Sequence, residues 1–313
     1  MNKRELMYGL LNDHFTLPYV PAAFFLHFPT EYHQGQAAVD KHLEFFRYTG
    51  MDLVKIQFES RFPPRPDLKT PGDWKKMPEY GLDFYEGQLS AIKGIVEAVK
   101  EEAVIVVTLY STFMCAAHSI GLMKLTEQLE AEPEKVRPGL ETITDSLLNF
   151  VRECARLGVD GFYTSTQGGE AGRFKVPRVF ENYIKPFDLK LMNEINRLCS
   201  FNILHVCDYW GTYEDITPFL EYPGQIVSSP LAVGGKSFSP REMSDFFQRP
   251  FMGGLERTGT ISTGSPEEIR KAVRDIIAQA PPRFILGADC TVPNETPWKN
   301  LKAAIDAAHE TYR

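Results

Sequence analysis

The sequence predicts a single-domain (β/α)8 barrel. Three observations predict it: eight short apolar runs, helical patterns between them, and a length of 313 residues. A barrel of about 250 residues plus extensions occupies such a chain. The predicted strands lie near 19–25 (YVPAAFF), 51–58 (MDLVKIQF), 103–110 (AVIVVTLY) and 159–164 (VDGFYT). Four more follow near 201–207 (FNILHVC), 225–229 (QIVSS), 250–255 (PFMGGL) and 283–288 (RFILGA). Several are apolar almost throughout, as parallel strands covered on both faces must be.

The helices carry their own start signals. Ser265-Pro266-Glu267-Glu268 combines an N-cap serine, proline at the first position and a capping-box glutamate, and Ile269, Val273, Ile276 and Ile277 then mark an apolar face. Ser239-Pro240-Arg241-Glu242 repeats the signal, and Thr296-Pro297 opens the last helix with Leu301 and Ile305 inward. Alternation of strand and helix in this way belongs to a parallel barrel. Residues 60–80 (SRFPPRPDLKTPGDWKKMPEY) are too rich in proline and charge for core, which predicts a lid-like insertion over the barrel mouth. No linker, low-complexity tract or fixed-period repeat divides residues 1–313.

Composition narrows the function. With 43% hydrophobic and 24% charged residues, a core is readily built. The net charge of -7 argues against nucleic acid or an anionic membrane as partner. No charged start followed by an apolar signal core is present, and no run approaches the length of a membrane span. Five cysteines (115, 154, 199, 207, 290) without a signal peptide predict reduced thiols and a cytoplasmic protein.

His205 and Cys207 end the fifth predicted strand, and their i, i+2 spacing sends both side chains to one face. Cys290 follows the eighth strand at the same end, where barrel active sites assemble. Two thiolates and an imidazole form a zinc-type ligand set with a fourth position open. Taken singly, each is as well explained as core packing, since free cysteine is among the most buried residue types. Cys115-Ala-Ala-His118 reads as a packed helix start, and Cys154 and Cys199 read as buried packing. Gly235-Lys236-Ser237 imitates the end of a P-loop, but Pro230 stands where the first glycine belongs, so a flexible loop is the reading. Polar residues gather at the same strand ends. Gln57, Glu59, Thr166 and Asp289 are candidates for substrate binding. Glu256 is a candidate fourth ligand or acid–base group, and Asp208 a candidate to orient His205 or act in catalysis.

The segments GVDGFYTSTQGG (158–169), YIKPFDLKLMNEI (183–195), ILHVCD (203–208), GSPEEIRKAV (264–273) and FILGADCTVPNETPWKNLKAAIDA (284–307) make the second half resemble the uroporphyrinogen decarboxylase superfamily. That resemblance implies a (β/α)8 barrel. Its porphyrinogen decarboxylases use no metal and carry an arginine-rich stretch after the first strand; here that stretch, AAFFLHFPTEYHQG (22–35), has no arginine, and Thr166 stands where their aspartate is expected. Its corrinoid-dependent methyltransferases bind zinc through an H-x-C…C pattern, which His205, Cys207 and Cys290 match. The more distant cobalamin-independent methionine synthases add a glutamate, where Ser228 and Ser229 stand here.

The resemblance therefore implies a zinc-dependent methyltransferase, monomeric or homodimeric, that moves a methyl group between a corrinoid (cobalamin) carried by a partner protein and a small acceptor, a thiol. A porphyrinogen decarboxylase and a non-catalytic corrinoid- or metal-binding module are the alternatives.

Overall fold

The computed structural model describes residues 1–176 and 178–311. Seven parallel strands form one curled sheet: β1 (Leu53–Ile56), β2 (Val104–Tyr110), β3 (Gly161–Thr166), β4 (Ile203–Val206), β5 (Ile226–Ser228), β8 (Phe251–Leu255) and β9 (Phe284–Ala288). Their order is β1-β2-β3-β4-β5-β8-β9, the sequential neighbour order of a barrel. The strands are buried on both faces; Val104 to Leu109 of β2, for example, are all buried, which is why they read as continuous apolar runs.

The eighth place in the ring corrects one expectation. The run at 19–25 is not a strand but a single parallel bridge, Ala22 to Leu286. It still joins both sides: Ala23 N–H donates to Leu286 O at 2.9 Å, Leu286 N–H to Pro21 O at 2.8 Å, and Asp52 N–H to Ala22 O at 3.0 Å. A longer ladder fails for lack of donors. Pro21 has no N–H, and the Ala22 N–H goes to the Asp52 carboxylate at 2.8 Å.

Between β5 and β8, β6 (Ala232–Val233) and β7 (Lys236–Ser237) form a small antiparallel hairpin. Its turn places Gly234 and Gly235 at φ +57° and +70°, which glycine adopts without steric cost. The stretch expected to be a flexible loop is thus an ordered turn. At β3, Gly161 permits a close approach: a Cβ there would lie 1.7 Å from Phe201 O on the chain entering β4.

The helices start where their signals place them. Ser239 and Ser265 each accept from the backbone N–H of the residue three along, and Glu242 and Glu268 answer with their carboxylates. Ile269, Val273 and Ile277 are buried as the apolar face of helix Pro266–Ile277. The last helix, Trp298–His309, is capped by Pro297, while the Thr296 hydroxyl bonds that of Ser262. No helix of the described residues is long and apolar enough to cross a membrane.

Residues 60–80 depart from their reading as non-core. Phe62, Leu68, Trp74 and Met77 are buried, and the 3-10 turn Pro71–Lys76 packs on helix Pro133–Leu157. Of the segment, only Arg61 among the described residues lines the large cavity at the barrel mouth.

One buried acid makes a testable contribution to stability. Asp188 is 2% exposed; Tyr222 Oη donates to its Oδ2 at 3.1 Å, and Oδ1 has no partner. Burial pushes its carboxyl up to about 8. A carboxyl raised in the folded chain takes up a proton on folding between pH 4 and 8. Stability therefore falls as pH rises through that window, by up to about 1.4 kcal/mol per pH unit. Asp188→Asn should remove this slope, gaining on the wild type as pH rises. Urea unfolding at pH 5 and pH 8 measures it, and parallel stability curves would refute it.

Candidate metal centre

Alternation along β4 turns Leu204 and Val206 toward the helices and His205 into the barrel; Cys207 continues that inward face one residue past the strand. Its N–H is held by Thr166 O at 3.1 Å. Cys290 arrives from the loop after β9, where Val292 N–H bonds Phe25 O at 2.9 Å. One ligand atom from each of His205, Cys207 and Cys290 lies within 4.8 Å of the others, the one such group among the described residues. The two sulfurs are 3.9 Å apart.

The geometry and the donor set suit zinc. Two sulfurs at about 2.3 Å from a tetrahedral zinc sit about 3.8 Å apart. His205 Nε2 is buried and has no hydrogen-bond partner, an arrangement that costs free energy unless something takes the lone pair. Its other nitrogen, Nδ1, is 3.2 Å from Ser228 Oγ. With Nδ1–H donating there, Nε2 presents its lone pair to the sulfurs, the outer hydrogen bond that metal-bound histidines use. The contact between the two sulfurs, in which either thiol can donate, draws Cys290 well below the ordinary thiol range, helped by His205 and Arg257. That same hydrogen bond and burial push Cys207 well above it. Gln167 Nε2 adds a contact to Cys207 Sγ at 3.5 Å.

These three side chains line a cavity of about 1020 Å3 at the carboxyl ends of the strands. Below them sits Lys55, buried, its Nζ bonded to Gln57 Oε1 at 2.8 Å and 4.4 Å from the ring centroids of both Phe25 and Tyr163. Burial pushes its ammonium down to about 7, although the nearby Cys290, Glu59 and Cys207 work against that.

Of the sequence-predicted substrate residues, Gln57 and Glu59 line the cavity. Glu59 Oε1 is 2.7 Å from His27 Nδ1. Burial alone would raise its carboxyl, but the hydrogen bond from His27 and the surrounding positive charge outweigh it, and Glu59 lies below the usual range.

Thr166 is corrected: it points to the helix side, where its hydroxyl donates to His205 O at 3.1 Å. Its neighbours Ser165 and Gln167 face the cavity instead, as the two-residue period of a strand requires. Asp208 does not orient His205; Ser228 does. Asp208 and Asp289 both turn to Arg257, whose Nη1 lies 2.9 Å from Asp208 Oδ1 and 3.1 Å from Asp289 Oδ2. The Arg257 N–H also donates to Asp289 Oδ1 at 2.8 Å. Because these aspartates adjoin Cys207 and Cys290, one guanidinium braces both cysteine loops. Glu256 is exposed and outside the ligand group; its carbonyl closes a turn with Gly259 N–H. It is its successor Arg257 that lines the cavity.

Sequence reading missed His27, His33, Lys55, Arg61 and Arg257 among the lining groups. Lys55 had a signal: it shares the face of Gln57 and Glu59 in an otherwise apolar run. Cys115, Cys154 and Cys199 are buried packing as read.

The comparisons with known proteins follow the same lines. The family model for uroporphyrinogen decarboxylase (URO-D) matches residues 54–311. A methylated-thiol–coenzyme M methyltransferase of Methanosarcina mazei is 22% identical over 232 residues, which cover 72% of this chain and 59% of that protein. The matched region thus spans less than two thirds of that relative. Among solved structures, a methyltransferase from Methanosarcina mazei aligns with TM-score 0.78 at 16% identity, covering 99% of each chain. A B12-independent methionine synthase from Shewanella sp. W3-18-1 aligns with TM-score 0.57 at 12% identity, covering 94% of this chain and 97% of its own. Both alignments show the shared barrel fold.

Proposed function

The chain belongs to the uroporphyrinogen decarboxylase family, and from that premise we propose that it is a zinc-dependent methyltransferase moving a methyl group between a corrinoid carried by a partner protein and a small thiol acceptor. The observation that carries this reading is the convergence of His205, Cys207 and Cys290, with a buried Nε2 left without a partner. The methyltransferase name of the 22% identical relative supports the reaction class.

Zinc held by His205, Cys207 and Cys290 would supply a cation that stabilises an acceptor thiolate. The chain's own groups arrange the rest. Ser228 sets the His205 tautomer, Gln167 contacts Cys207, and Arg257 braces the two cysteine loops. Lys55, whose protonation the nearby Cys290 and Cys207 favour against its burial, would offset part of the negative charge a second thiolate brings. Tyr209 and Trp210 stand at the mouth, where a corrinoid would approach.

A polycarboxylate substrate fits this cavity poorly. Arg257 is already paired to two carboxylates, which leaves Arg61 as the one lining guanidinium without an ion pair among the described residues.

Protein purified without chelator should carry about one zinc per chain and move a methyl group between methylcobalamin and a small thiol such as 2-mercaptoethanol. Metal analysis with an assay for the methylated thiol checks both. Metal-free wild-type protein that decarboxylates a porphyrinogen would overturn the proposal.

A further inference from the structure

We infer that His27, oriented by Glu59, is the base that takes the proton from the incoming acceptor thiol; this rests on the thiol-acceptor reading above. Lys55, Gln57 and Glu59 alternate along one face of β1 and its extension, and all three face the cavity. The Glu59 side chain is 8% exposed, and its Oε1 lies 2.7 Å from His27 Nδ1. A carboxylate only accepts, so Nδ1 carries the hydrogen, and in the neutral ring Nε2 keeps its lone pair. No protein group takes that lone pair among the described residues, and the ring borders the cavity at 22% exposure.

His33 cannot serve in its place. Its Nε2 is engaged by Phe28 O at 2.7 Å, and its Nδ1 lies 3.6 Å from Glu59 Oε2.

The base shares one cavity with the candidate metal ligands, and its segment is tied to the Cys290 loop. One amide nitrogen, Gln57 Nε2, reaches Leu26 O at 3.3 Å and Thr291 Oγ1 at 3.5 Å. Those atoms belong to the residues adjoining His27 and Cys290. In the step, the acceptor S–H bond breaks and its electron pair stays on sulfur. The proton bonds to His27 Nε2, and leaves to water when product departs. Glu59 holds the imidazolium that forms, as the orienting carboxylate does in other acid–base pairs.

The experiment is calorimetric binding of 2-mercaptoethanol to the zinc-loaded protein at pH 7, in buffers of different ionisation enthalpy. The wild type should release fewer protons to buffer than His27→Gln. Glu59→Gln should move in the same direction, with zinc content unchanged in both variants. In turnover, His27→Gln should lose about 100-fold in kcat/KM with an alkyl thiol. With an aromatic thiol already ionised at pH 7, the loss should be about 3-fold or less, because there is no proton to remove. Equal proton release by wild type and both variants, or equal losses with the two thiols, overturns the inference alone. Failure of the wild type to bind any thiol overturns both the inference and the reading beneath it.

Discussion

Cys290→Ser and His205→Ala should each strip zinc from the protein and abolish methyl transfer while leaving the barrel folded. The three side chains come from the ends of two strands, and removing one leaves two donors for an ion that takes four. Loss of an outer-shell partner alone costs about 10–100-fold in metal affinity, so loss of a ligand should exceed about 100-fold. Ser228→Ala provides the internal scale. It removes the group at His205 Nδ1, together with a 3.3 Å contact to the Tyr163 hydroxyl, but no ligand, and should fall within the outer-shell range.

The fold should tolerate these changes. Cys290 sits in a loop and is only partly buried, and serine keeps its shape. Removing His205 relieves an unpartnered buried nitrogen. Zinc titration against a chromophoric chelator, with circular dichroism as the folding control, reads the result. Full zinc occupancy in both variants would eliminate the site.

The candidate metal ligands were legible in the sequence because strand alternation is strict: residues 205 and 207 must share a face once β4 is recognised, and β9 ends at the same rim. Legibility stopped where the chain leaves the strands. Thr166 and Glu256 were each one position from residues that reach the cavity, Gln167 and Arg257. A one-residue error in a period-two element reverses the face. His27 and His33 follow a bridge rather than a strand, so no period marks them. Asp208 and Asp289 adjoin the cysteine loops, but their carboxylates are taken up by charge pairing to Arg257. No local pattern could name that partner, because Arg257 is 49 residues from Asp208 and 32 from Asp289.

Trp74→Ala should produce the largest loss of stability outside the site, and it tests why residues 60–80 are ordered at all. Proline and charge dominate that segment by count, but a few apolar side chains anchor it. Trp74 is fully buried, and its Nε1 donates to Gln128 Oε1 at 2.6 Å. Gln128 Nε2 in turn donates to Lys69 O at 3.0 Å, so one amide ties the indole to its own loop. Helix Pro133–Leu157 has a glycine to receive it: a Cβ on Gly139 would sit 2.4 Å from the indole Cε3.

Truncation to alanine empties a tryptophan-sized space, at about 3–5 kcal/mol, and leaves the buried Gln128 Oε1 without its donor, adding about 1–3 kcal/mol. Trp74→Phe keeps most of the packing and should incur mainly the second cost. Thermal melts and urea unfolding separate the two variants, and a melting temperature for Trp74→Ala within about 2 °C of wild type would refute the anchoring role. The effect should reach the active site through Arg61, which enters the cavity from the start of this segment, while Arg65 N–H is held to Ser119 O at 2.7 Å. With Trp74 gone, the segment should become protease-sensitive and KM should rise while zinc content stays whole. That combination distinguishes a loosened wall of the cavity from a damaged metal site.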